Sequence, residues 1–137
     1  MKTLLESGVD VDEKDLLGRT PLICAAWNGH ADVVKLLLQH RANPASTDDN
    51  GNTALIEPAY RGYDKIVKML VDAKAPLNST DIHGLTPLYY SISGKNPICA
   101  EILLLAGADR SEIADLDIFS ILNSAEVSFF DEVTFLY

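Results

Sequence analysis

Apolar and polar positions recur along this chain in blocks with a fixed step. Leu22, Leu55 and Leu88 stand 33 residues apart, as do Leu37, Leu70 and Leu103, and Ala42, Ala75 and Ala108. Polar columns run in phase with them: Asp15, Asp48 and Asp81; Gly18, Gly51 and Gly84; Thr20, Thr53 and Thr86. Six columns thus keep one residue type through three successive units. Self-similarity at this period is the mark of stacked repeats, in which each unit buries its apolar face against the next.

Each unit reads the same way in physical terms. Asp-x-x-Gly is a turn, because Asp bonds its own backbone two residues on and Gly accepts positive φ. Thr20, Thr53 and Thr86 then stand where a helix N-cap belongs, with Pro21 and Pro87 at the first helical position. These signals predict short helices over roughly 21–28, 54–61 and 87–93. Small loops follow at Asn28-Gly29, Arg61-Gly62 and Gly94-Lys95. Second helices start near Asp32, Asp64 and Ile98, with three columns expected in the core: Val33/Ile66/Cys99, Leu36/Met69/Ile102 and Leu37/Leu70/Leu103.

The unit resembles an ankyrin repeat. Gly18-Arg19-Thr20-Pro21-Leu22, Ala25-Ala26, Asn28-Gly29-His30 and Val33-Val34-Lys35-Leu36-Leu37-Leu38 follow that family's pattern closely. Gly51 to Asn78 matches well, Gly84 to Asp109 more loosely, and the likeness covers about residues 3–113. It implies an all-α solenoid of stacked helix-turn-helix units with β-turn fingers. The expected units are 15–47, 48–80 and 81–113, after a partial repeat at 1–14 that begins inside its second helix. Residues 114–137 form an irregular, acidic, Phe-rich end, expected as a cap or as a docking tail.

Two departures from the pattern carry local expectations. Glu57 and Pro58 replace residues that the family usually keeps apolar and small. A proline well inside a helix removes a backbone bond, so a distortion is expected there. Arg41 and Lys74 stand where Gly8 and Gly107 end the corresponding helices, a place that favours a left-handed residue.

Composition narrows the partner. The formal net charge is −9, and residues 111–137 carry six acids and neither Lys nor Arg. A phosphate backbone is gripped by clustered Lys and Arg, so nucleic acid is not the expected partner. No apolar run approaches the ~20 residues of a membrane span, so membrane insertion is not expected either. Cys24 and Cys99 read as reduced core residues, and the chain as intracellular, cytoplasmic or nuclear.

Candidate chemistry is thin. No catalytic set can be assembled, and no cofactor or metal is expected, because His30, His40 and His83 stand singly. Ser46, Asp48, Asn50, Gly51 and Glu57 mimic a calcium loop, but the repeat register already accounts for Asp48 and Gly51. Asn78-Ser79-Thr80 is a glycosylation triplet. The resemblance also makes Asn78 a candidate for asparaginyl hydroxylation, with Leu70 eight residues before it.

What remains is a surface. The resemblance implies a cupped array with turn tips as fingers and first helices as a palm. Positions expected to be free of core duty are Leu16, Leu17, Arg19, Asp49, Asn50, Asn52, Ile82, His83 and Leu85 on the fingers. On the palm they are Ile23, Trp27, Asn28, Ile56, Tyr60, Arg61, Tyr89 and Ser93. Trp27 and Tyr60 share a column, and Trp, Tyr and Arg are the types enriched in binding hot spots. The expected function is non-catalytic binding of a protein partner on the concave face, as a scaffold or adaptor. Two alternatives are a regulatory fragment of a larger channel, kinase or ubiquitin-ligase receptor, and a module self-associating through its truncated start or its tail.

Overall fold

The computed structural model describes residues 10–109. Six helices follow one another in pairs: α1 Pro21–Trp27 with α2 Ala31–Gln39, α3 Ile56–Arg61 with α4 Asp64–Asp72, and α5 Pro87–Ser93 with α6 Pro97–Leu105. No strand occurs among the described residues. Each helix packs on its own pair-mate. The first helices α1, α3 and α5 also touch in sequence, as do the second helices α2, α4 and α6. The result is an all-α solenoid with one continuous apolar core.

Leu22, Leu55, Leu88, Leu37, Leu70 and Leu103 are all fully buried, and Ala42, Ala75 and Ala108 close the layer. The small Ala26, Ala59 and Ala100, also buried, leave room for close helix packing. Of the expected column Val33/Ile66/Cys99, Ile66 and Cys99 are buried and Val33 is half-buried. Val34, Val67 and Ala100 form a fully buried column that the pattern did not single out. Leu36, Met69 and Ile102 are only half-buried. One residue along a helix is a turn of about 100°, so the stacking partner covers the Val34 and Leu37 columns and leaves Leu36 on the rim.

The turns before the first helices share one hydrogen-bond scheme. Asp15 Oδ1 accepts the N–H of Leu17 and of Arg19, both at 2.9 Å. Asp48 does the same for Asn50 and Asn52, and Asp81 for His83 and Leu85. The turns also join each other: Asp49 N–H donates to the Leu17 carbonyl at 3.1 Å, and Ile82 N–H to that of Asn50 at 3.0 Å.

Thr20 and Thr86 cap α1 and α5 as expected, each hydroxyl accepting an N–H three residues on at 3.2 Å. Thr53 does not cap α3; its hydroxyl accepts only the Leu55 N–H, at 3.4 Å, and Leu55 is the cap residue. Pro58 supplies the reason. Without an N–H it cannot bond back to Ala54, so the helix starts late and places Pro58 in its first turn, where N–H groups need no helical partner. The expected distortion therefore takes the form of a shortened helix, six residues against seven in α1 and α5.

Arg41 (φ 65°) and Lys74 (φ 67°) adopt the left-handed conformation that Gly107 takes at the same place. Lys95 (φ 59°) does likewise where the earlier helix pairs have Gly29 and Gly62. Both cysteines are free. Cys99 is buried, and burial, with the Asp64 carboxylate adding to it, pushes its thiol up to about 12. Cys24 is only half-buried, short of the core position expected of it.

Candidate functional site

The turns and the first helices meet along one side of the stack. A cavity of about 180 Å³ lies where they join, lined from the turns by Asn50, Asn52, Asp81, Ile82 and His83 and from the helices by Ile56, Glu57 and Tyr90. The second helices line separate grooves, formed by residues such as Lys68, Met69 and Ile102.

The palm residues divide into three groups. Trp27 (38% exposed) and Tyr60 (48% exposed) present their rings to solvent, the first near the end of α1 and the second near the end of α3. Ile23 (3% exposed) is a core residue, which corrects its assignment to the binding surface, and Ile56 (4% exposed) is buried too, reaching the face only at the cavity wall. The first helices pack against each other, so the column next to Leu22 and Leu55 is covered by the adjoining pair. Tyr89 is half-buried against the core, Ser93 is exposed, and Asn28 spends its amide on the Cys24 carbonyl at 2.8 Å.

The rings of this face do not pair along the column that Trp27 and Tyr60 share. Tyr90, which the column pattern did not mark, is the centre of the ring contacts. Its ring meets Tyr60 edge-on at 6.2 Å and Tyr89 edge-on at 6.0 Å. Trp27 joins no ring pair among the described residues.

Tyr90 also reaches the turn, where its hydroxyl donates to Asp81 Oδ2. Burial and this carboxylate together push the phenol up to about 12, so it stays protonated. Burial alone would raise Asp81, but the Tyr90 hydroxyl and the N–H groups of Leu85 and His83 outweigh it and hold the carboxyl below its ordinary value. Asp15 is likewise held low, chiefly by the N–H of Arg19. Arg61 Nε donates to Glu57 Oε1 at 2.6 Å, and Arg19 Nε to Asp15 Oδ2 at 2.9 Å. Glu57 and Asp48, which the calcium-loop pattern would enlist, are thus bonded within the helix and the turn.

At the turn tips Leu16 is 100% exposed, Leu17 and Ile82 are exposed, and Leu85 is half-buried. Asn50, Asp49 and His83 are exposed, while Asn52 and Arg19 are half-buried. Asn78 is exposed, and its side-chain oxygen accepts the N–H of Asp109 at 2.8 Å. The start and the tail to which self-association was assigned lie outside the described residues.

The family model described as "Ankyrin repeats (3 copies)" matches residues 1–81 and 46–115. The chain belongs to the ankyrin-repeat family. A mouse protein, ankyrin repeat domain-containing protein 63, is 44% identical over 48 residues. That match is 35% of this chain and spans only 12% of the mouse protein. Ankyrin repeats are generally protein–protein interaction modules, and the family is typically non-catalytic. No helix among the described residues is long and apolar enough to cross a membrane.

Proposed function

We propose that this ankyrin array binds a protein partner across the face where turns and first helices meet, as a scaffold or adaptor of the cytoplasm or nucleus. The observation that carries this reading is the pair of exposed rings, Trp27 and Tyr60, at the ends of α1 and α3. The buried leucine columns make the core without them, so nothing in the stack requires aromatic residues there. Tyr89 and Tyr90 extend the ring surface, Arg61 borders it, and Leu16, Leu17 and Ile82 add apolar tips. A rigid array offers these groups already in place, which lowers the entropic cost of binding. The acidic balance of the chain favours a protein over a nucleic acid.

The test is a crosslinking capture from cell lysate, with the wild type beside a Trp27→Ala/Tyr60→Ala variant of equal melting temperature. A protein held by the first and lost by the second identifies the partner and supports this face. A protein held equally by both moves the site elsewhere.

A further inference from the structure

The cavity between the second and third turns has a chemistry of its own. Its lining carries two carboxylates, Glu57 and Asp81, beside the amides of Asn50 and Asn52 and the His83 ring. Glu57 engages only Oε1, with Arg61, which leaves its second oxygen open. Asn52 donates one amide N–H to Asp48 Oδ2 at 3.3 Å, and its side-chain oxygen remains an acceptor. The Tyr90 hydroxyl already donates its hydrogen bond to Asp81. No Lys or Arg lines the cavity. Ile56 and Ile82 supply apolar walls, and the Tyr90 ring lies on the same lining.

A complementary ligand carries several donors, positive charge and an apolar stem. We propose that this cavity is a subsite for one Lys or Arg side chain of the protein partner. Both are donors without acceptors. Their methylene stems pack on apolar walls while the charged head meets acceptors, and an aromatic face adds a cation–π contribution. The volume, about 180 Å³, is well below the ~300 Å³ where small-molecule pockets begin, which suits a single side chain. An acidic ligand is disfavoured by the Glu57 and Asp81 carboxylates. The subsite rests on the reading that the partner binds this face.

The experiment selects binders from a phage-displayed pool of random peptides on the full chain. Affinities of the selected peptides are then read by fluorescence anisotropy. The expected result is a recurring Lys or Arg whose replacement by norleucine weakens binding at least tenfold. A Glu57→Gln/Arg61→Gln variant should weaken it similarly, and the two losses should not add. Removing both partners of the ion pair keeps a released Arg61 from causing the effect. Asn50→Asp, which adds a carboxylate at the rim, should tighten the same peptides. Peptides that lose binding on Trp27→Ala or Tyr60→Ala, yet ignore the basic replacement and the Glu57→Gln/Arg61→Gln change, overturn the subsite and leave the binding face standing. Peptides indifferent to all these substitutions, or no retained peptide, overturn both.

Discussion

The phenol of Tyr90 and the carboxylate of Asp81 are joined by a hydrogen bond that ties the first helix of the third pair to the turn before it. Asp81 is buried, and its other oxygen holds two backbone N–H groups of that turn. Tyr90→Phe should therefore cost about 2 kcal/mol at neutral pH, the range for a bond to a charged group. Urea denaturation of the two proteins checks this.

The same pair sets a pH dependence. Asp81 has a lower pKa folded than unfolded, so its contribution is complete above its unfolded value of about 3.9. That contribution is lost as pH falls through the lower folded value. Tyr90 is raised to about 12, so its contribution is complete below an unfolded value of about 10 and is lost as pH rises toward the folded one. Tyr90→Phe should shrink both losses. Urea midpoints for wild type and variant from acid to alkaline pH would show it, and parallel profiles would contradict it.

Gly94 has an ordinary φ of −81° yet cannot carry a side chain. A Cβ there would overlap the Tyr60 carbonyl oxygen and crowd the Asn96 amide, which bonds that same carbonyl at 2.6 Å. Gly84 is the reverse case: φ is +74° and nothing lies within 4 Å of a Cβ. Gly84→Ala should cost about 1 kcal/mol, from backbone conformation alone. Gly94→Ala should cost more, because backbone of the neighbouring pair must move. Thermal melts of the two variants would rank them.

Lys95 sits at φ 59° in the slot filled by Gly29 and Gly62. Replacing it with glycine removes the left-handed strain, and Lys95→Gly should stabilise by up to about 1 kcal/mol. A higher urea midpoint at unchanged slope is the expected readout.

Leu70 is fully buried in the middle pair, with helices on both sides. Leu70→Ala should cost about 2–5 kcal/mol through lost burial and the cavity left behind. Met69→Ala, one residue away and half-buried, should cost distinctly less. Equal losses in denaturant titration would contradict the buried-column assignment.

Much of this was legible in the chain because a repeat writes each local requirement several times. The Asp turns, the Thr20 and Thr86 caps and the Leu columns each satisfy a need met within a few residues, so spacing reveals them. Pro58 shows where that legibility ends. Its missing N–H was plain, but whether the helix would kink or start late depended on what Thr53 and Leu55 could do in its place.

The binding face was legible in part. Trp27 and Tyr60 stood out by type and column, and both are exposed. Ile23 and Ile56 shared the face by helical position yet are buried, because the adjoining first helix covers them. Tyr90 gave no signal in its column, since its role comes from reaching Asp81, nine residues back, and Tyr60 in the preceding pair.

Sequence alone determined the period, the turn chemistry, the helix positions other than the start of α3, and the family, because each rests on local backbone preferences and residue spacing. Tertiary structure alone decided which first-helix residues face solvent and which tyrosine centres the aromatic cluster. It also decided where a cavity lined by the Glu57 and Asp81 carboxylates opens. Those depend on how close one pair lies to the next, and that distance is set by packing across the stack rather than by any single segment.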